Sequence, residues 1–202
     1  MKKKELERAL QRVTPHSRPR PDLEQYSTPA TIAADMLYTA HSYGDVEGRK
    51  VVDLGCGGGI LSIGAALLGA ESVTGIDVDP HAIEDAQRNV EESGVNVELF
   101  NMDIRDADLR ADTVIMNPPF GAQRRNADRP FLETALRIAP RAYSLHNART
   151  LDFLEGMIRA MDARIFFHKS YKFEIPHLFE FHDRKKKEIE VVLLCISSEV
   201  TK

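Results

Sequence analysis

Asn117-Pro118-Pro119-Phe120 stands directly behind the apolar run Thr113–Met116, in the stretch TVIMNPPFG. Two consecutive prolines remove two backbone donors and fix two φ angles, so a strand must end there. Such a frame holds the Asn117 amide and the Pro118 carbonyl as fixed acceptors and offers the Phe120 ring as an apolar face. A second group precedes it in the chain. VVDLGCGGGI, Val51 to Ile60, passes from an apolar run into a helical pattern through Gly55, Gly57, Gly58 and Gly59. These glycines let the backbone turn sharply and approach a ligand closely. Neither common phosphate-binding pattern fits, because Ile60 occupies the sixth position of G-x-G-x-x-G and no Gly-Lys-Ser/Thr follows. Asp53, ahead of the first glycine, repels a pyrophosphate and suits a cationic ligand. Asp77 closes the next apolar run, and Asp103 follows the third. Alone, each acid reads as a cap or turn residue, and Asp79, just before Pro80, is assigned that role. Together, Asp53, Asp77 and Asp103 place carboxylates at three successive strand ends.

The D-x-G-x-G loop, Asp53 to Gly57, resembles that of class I methyltransferases. The resemblance implies S-adenosylmethionine, which carries an ammonium and a sulfonium and no phosphate. Asp77 would then accept the ribose hydroxyls. Asp103 would accept the adenine amine, with Ile104 beside it. NPPF resembles the signature of amino-methyltransferases. Two fixed acceptors there bind both N–H groups of a planar exocyclic amine and aim its lone pair at the methyl carbon, while Phe120 stacks on a flipped base. Positioning and electrostatics suffice for an in-line displacement without a side-chain general base.

These residues require a particular scaffold. Strands are expected at Lys50–Leu54, Ser72–Val78, Val95–Phe100, Thr113–Met116, near Ala142–Leu145, and at Arg164–His168 and Glu188–Ser197. Helices are expected over residues 3–13, from Thr28-Pro29 as cap and first turn, over Ile60–Leu68, from Pro80 to a stop at Gly94, over Pro130–Ile138 and over Leu151–Met161. Strands alternating with helices predict an α/β, doubly wound, Rossmann-like sheet. The last two strands follow each other without a helix, which predicts a long hairpin with an antiparallel edge and an antiparallel final strand. Residues 1–202 read as one domain, with 1–27 as an N-terminal helix and arm. Gln25-Tyr26, on that arm, is expected to fold over the cofactor and exclude water.

Gln25-Tyr26-Ser27-Thr28-Pro29, TVIMNPPFG, Ala142-Tyr143-Ser144-Leu145-His146 and KKKEIEV together are similar to the methyltransferase-like protein 5 family, including archaeal members of about this length. The likeness spans Leu23 to Ser197. It implies formation of N(6)-methyladenosine in small-subunit rRNA, S-adenosylmethionine as cofactor and, in eukaryotes, a small zinc-binding activator subunit. It also implies cofactor contacts from Gln25, Thr28, Gly55, Gly58, Ile60, Asp77, Asp103 and Ile104, and catalysis at Asn117, Pro118, Pro119 and Phe120. Gly58 departs from the human-type pattern, which has cysteine there. Enzymes acting on the guanine 2-amine or on a glutamine amide share NPPF-type loops, and a non-catalytic RNA-binding assembly factor is a reading of another class. A glutamine enzyme would more often carry tyrosine after the prolines and an extra substrate domain. About 50 residues precede the first strand here, leaving little room for one.

Arg124 and Arg125 follow the NPPF loop, and Arg184, Lys185, Lys186 and Lys187 precede the last strand. Both groups are candidates for RNA phosphate contacts. The net charge of −4 means that such contacts depend on local patches. Two cysteines, Cys56 and Cys195, argue against a disulfide framework and for a reducing cytoplasm. The seven histidines form no H-E-x-x-H pattern, and no metal is assigned. No apolar run is long enough for a membrane span.

Overall fold

The computed structural model describes residues 1–20, 23–120, 127–175 and 187–198. Six helices occur among them: α1 (Lys3–Leu10), α2 (Ala30–Ser42), α3 (Ile60–Leu67), α4 (Pro80–Ser93), α5 (Arg129–Ile138) and α6 (Leu151–Arg159). Seven strands form one sheet: β1 (Lys50–Leu54), β2 (Ser72–Asp77), β3 (Glu98–Asn101), β4 (Thr113–Met116), β5 (Arg141–Asn147), β6 (Ala163–Ile175) and β7 (Lys187–Ser198). Their order is β3-β2-β1-β4-β5-β7-β6. The first five are parallel, and β7 runs antiparallel to both of its neighbours.

Successive residues of a strand face opposite sides of a sheet, and here both sides are covered. Val51, Ile115, Tyr143, Leu193 and Cys195 pack with Leu6, Leu10, Leu37 and Ile63 from α1, α2 and α3. Val52, Val114, Met116, Leu194 and Ile196 pack with Leu132, Ile138, Leu154 and Ile158 from α5 and α6. Doubly buried strands read as unbroken apolar runs, which is why β1 and β4 have the bounds expected of them. The chain winds from β1 outward to β3 and then returns to β4 on the other side of β1. The carboxyl ends of β1 and β4, with Leu54 opposite Met116, therefore lie at the switch point where ligands sit in such sheets.

Four expectations shift. Helix α1 ends at Leu10 rather than at residue 13. The third strand begins at Glu98 rather than Val95. The antiparallel strand β7 lies inside the sheet, and the edge is β6, which extends to Ile175 around a bulge between Ile165 and Phe167. Thr28 does not cap α2, because Pro29 takes the half-in position and makes no side-chain cap bond. The Thr28 hydroxyl is engaged elsewhere, as described below. Among the described residues no helix is long and apolar enough to cross a membrane.

The loop ahead of β1 is pinned to the core by Asp45. The Tyr143 hydroxyl donates to Asp45 Oδ2 at 2.6 Å, and Thr113 Oγ1 donates to the Asp45 carbonyl at 2.7 Å. Burial, then the Asp45 carboxylate, pushes the Tyr143 phenol far up, so it stays a donor. Tyr143→Phe leaves a buried carboxylate short of a donor and should lower the unfolding free energy by about 1–3 kcal/mol. Denaturant melts check this, and a change below about 0.5 kcal/mol, ordinary for surface changes, would refute it.

Candidate active site

The glycine turn is suspended from β2. The amides of Gly55 and Cys56 both donate to the Ile76 carbonyl, at 2.8 and 3.0 Å, and the Gly57 amide donates to Asp77 Oδ2 at 2.9 Å. Gly55 has φ +71°, and a Cβ there would lie 2.9 Å from the Phe131 ring. Only glycine meets both conditions. The result is a cavity of about 660 Å³ at the carboxyl ends of the strands.

Asp53, Asp77 and Asp103 all line this cavity, with Gly55, Gly58, Ile60, Ile104, Gln25, Thr28, Asn117 and Pro119. Asp53 is 1% exposed. Its Oδ2 accepts from the Ser62 amide (3.0 Å) and hydroxyl (2.6 Å), while Oδ1 has no partner. Burial, reinforced by the Asp77 charge, pushes the Asp53 carboxyl up to about 7 against those two bonds. In Asp77, Oδ2 receives the Gly57 amide and Oδ1 the Asp79 amide, leaving each oxygen one lone pair for a ligand. Burial raises this carboxyl as well. Asp103 caps a short 3₁₀ turn over Ile104–Asp106, and Arg105 engages both its oxygens, at 3.0 and 2.6 Å. The Arg105 guanidinium holds the Asp103 carboxyl below its ordinary range.

At the end of β4 the Asn117 Nδ2 donates to the Thr28 hydroxyl at 2.9 Å, and its Oδ1 has no partner. Thr28 thus orients the amide from two residues before α2, 89 positions away. Pro118 is buried and is not among the lining residues. Phe120 is half-buried against the α1–α3 core and is not among the lining residues. Arg124, Arg125, Arg184, Lys185 and Lys186 lie outside the described residues. Lys187 opens β7 opposite Ile175.

The arm supplies a wall that sequence reasoning credited only to Gln25 and Tyr26. Thr14, Pro15 and His16 line the cavity as well. They are latched to α4 by two side chains. Asn89 Nδ2 donates to the carbonyls of Thr14 (2.9 Å) and Gly58 (2.8 Å), and its Oδ1 accepts from the Thr14 amide (3.1 Å). Asp85 accepts from the Ser17 amide and hydroxyl and pairs with His16 Nδ1 at 2.6 Å. Gln25 Nε2 donates to Asp79 Oδ2 at 3.0 Å. Phe131 was missed too, since within α5 it carries no signal beyond ordinary helical periodicity.

An acceptor without a partner suits an ammonium at Asp53 and an amine at Asn117, as S-adenosylmethionine and an amino acceptor would provide. Asp53, Asn117 and His16 each bring an unpartnered buried polar atom to this one cavity. All three atoms are closed to bulk water.

A family model for ribosomal protein L11 methyltransferase (PrmA) matches residues 34–118, which carry the glycine loop, Asp77, Asp103 and β4. Over longer spans the likeness is different. The rRNA N(6)-adenosine-methyltransferase METTL5 of Danio rerio is 39% identical over 203 residues, covering 95% of this chain and 96% of that one. Its Drosophila melanogaster counterpart is 40% identical over 95% and 94%. The chain belongs to the METTL5 family. A crystal structure of PH1948 from Pyrococcus horikoshii, a candidate RNA methyltransferase, is 40% identical and superposes with a TM-score of 0.92 over 99% of both chains. This METTL5-family chain is therefore an enzyme dependent on S-adenosylmethionine.

The raised Asp53 carboxyl has a consequence for stability. Its folded value of about 7 lies above the ordinary 3.8 expected when unfolded. Between these limits the folded chain holds a proton that the unfolded chain has released, so stability falls as pH rises from about 4 to 7. Asp53→Asn removes that decline. The variant should be more stable than wild type at pH 8 by on the order of 2–4 kcal/mol, and little different at pH 4. Denaturant melts at the two pH values check this, and equal differences at both would refute it.

Proposed function

We propose that this METTL5-family enzyme methylates the exocyclic 6-amine of an adenosine in small-subunit ribosomal RNA. The observation that carries the reading is the Asn117 amide, fixed at its nitrogen by Thr28 and without a partner at its oxygen. When bound, S-adenosylmethionine supplies a methyl carbon activated by the adjacent sulfonium. Everything else falls to the chain. Asp53 Oδ1 accepts from the ammonium, Asp77 from the ribose hydroxyls, and Asp103, beside Ile104, from the adenine of the cofactor. Gly55, Gly58 and Ile60 bring backbone close to the ligand, while Gln25 and Thr28 close the arm side.

The target amine donates one N–H to Asn117 Oδ1 and the other to the Pro118 carbonyl. Two accepted bonds raise electron density on its nitrogen and aim the lone pair along the transfer line. Pro118 and Pro119 hold the acceptors still, so little reorganisation accompanies the reaction. The proton leaves the methylated amine afterwards, to water. Phe120 gives the base an aromatic neighbour. Arg124, Arg125, Arg184, Lys185, Lys186 and Lys187 are proposed to hold RNA phosphates, which makes binding steeply salt-dependent.

An RNA acceptor is supported by the relatives matched over nearly the whole chain. The L11 methyltransferase match ends at Pro118, so it includes Asn117 and Pro118 but none of the chain beyond them that would shape the acceptor side. A small zinc-binding activator subunit is proposed as a partner. Support for a docking place comes from β3, an edge strand on which Phe100 is 46% exposed, since an edge can accept an added strand.

Labelled cofactor with deproteinised small-subunit rRNA from a strain lacking the enzyme, followed by nucleoside analysis, tests the reading. Labelled N(6)-methyladenosine is expected, and label in another nucleoside or none would overturn it. Asn117→Ala should lower turnover by about 10²- to 10³-fold, the scale for one lost transition-state contact, while cofactor affinity stays within about twofold. Asp77→Ala should weaken cofactor binding by about 1.5–3 kcal/mol in calorimetry. Unchanged affinity would remove Asp77 from the cofactor site.

A further inference from the structure

We infer that the N-terminal arm contributes a cofactor ligand of its own: the His16 imidazole, through Nε2, bonds a ribose hydroxyl alongside Asp77. The inference rests on the cofactor reading of this cavity.

His16 is on the cavity wall, and its side chain is 4% exposed. One ring nitrogen is satisfied, because Nδ1 lies 2.6 Å from Asp85 Oδ2. The other, Nε2, has no hydrogen-bond partner and lies 3.6 Å from Asp79 Oδ2. A buried polar atom left in this state costs free energy unless a ligand group completes it. The ring is also placed with some effort. Asp85, Ser17, Asn89 and Thr14 join in a network that fixes the arm on α4 at this point.

Position selects the group that Nε2 would meet. Asp79 follows Asp77 at the β2 end, and its amide donates to Asp77 Oδ1 at 2.9 Å. His16 thus stands over the Asp77–Asp79 turn. Asp53 and the glycine loop lie toward β1, where the ammonium is placed, and Asp103 lies beyond β3, where the adenine is placed. Between them is the ribose. Chemistry agrees with position. The Asp85 carboxylate only accepts, so Nδ1 carries a proton and Nε2 is an acceptor in the neutral ring and a donor in the cation. A hydroxyl serves either form, whereas an ammonium or a carboxylate serves only one.

Substitutions can separate the two nitrogens. In His16→Asn the amide N–H replaces Nδ1–H toward Asp85 and nothing replaces Nε2. In His16→Gln the longer side chain reaches the Nε2 position. Binding of S-adenosylhomocysteine and of its 2′-deoxy and 3′-deoxy counterparts is measured by calorimetry for wild type and both variants, with thermal melts alongside. Wild type should bind at least one deoxy ligand more weakly than the parent. In His16→Asn that discrimination should shrink by about 3- to 10-fold, the worth of one neutral hydrogen bond, with the melting midpoint nearly unchanged. His16→Gln should recover it. If His16→Asn weakens all three ligands by the same factor, His16 only holds the arm and the inference is overturned. If wild type binds none of the three, the cofactor reading of the cavity falls, and the inference with it.

Discussion

A buried polar atom without a partner costs about 1–3 kcal/mol, and folded chains rarely keep one. Here Asp53 Oδ1, Asn117 Oδ1 and His16 Nε2 are all left in that condition around one cavity. Each belongs to a side chain whose other polar atom is engaged, by Ser62, Thr28 and Asp85 respectively. The fold therefore orients the groups with one hand and withholds their partners with the other. Side chains free to rotate would find a backbone donor or water. Held as they are, they remain available to a ligand, and the protein carries the cost in the absence of one. The raised carboxyl of Asp53 expresses the same cost in another form.

Such restraint needs a rigid frame, and the sheet supplies it by topology. The reversal of winding between β1 and β4 brings Asp53 and Asn117 to neighbouring strand ends without any direct contact being required. The flanking parts are then tied across long sequence distances. Asn89 joins the arm to the glycine loop by donating to both Thr14 and Gly58. Thr28 joins the arm to the NPPF loop. The arm is thus tied both to the glycine loop and to the end of β4.

How much of this was legible in the sequence depended on the range of the interaction. Strands β1 and β4 declare themselves as short apolar runs because both sheet faces are covered. The glycine turn was legible because its chemistry is local, and the acids at the strand ends were legible as a group because each ends or follows an apolar run; the structure brings all three to one cavity. The length of β6 was hidden, since Lys169, Ser170 and Lys172 on an exposed edge look like a loop. Thr28 was misassigned because Thr-Pro before a helix satisfies a capping rule, and only the folded chain shows that its hydroxyl faces Asn117. The latch was illegible in principle from one sequence. His16 and Asp85 are 69 residues apart, Thr14 and Asn89 are 75 apart, and each is unremarkable in its own segment.

The matches divide the chain along the same line. Residues 34–118, shared with the L11 methyltransferase model, contain the glycine loop, the acids at the strand ends and the first two residues of the NPPF loop. The arm before them and the strands after them lie outside that match, yet both complete the cavity or support it. His16, Gln25 and Thr28 come from one side, and Pro130 and Phe131 from the other. Behind the second group a buried chain runs from Ser144 to His146 at 2.7 Å and on to Asp128 at 3.2 Å, fixing the start of α5 to β5. A common cofactor unit with distinct additions before and after it is what a methyltransferase needs when the methyl donor stays the same and the acceptor changes. The donor requires charge complementarity that the shared residues already hold. The shared residues include Asn117 and Pro118 as well, so what differs between acceptors is left to the shape of the cavity, to which the two flanking segments contribute.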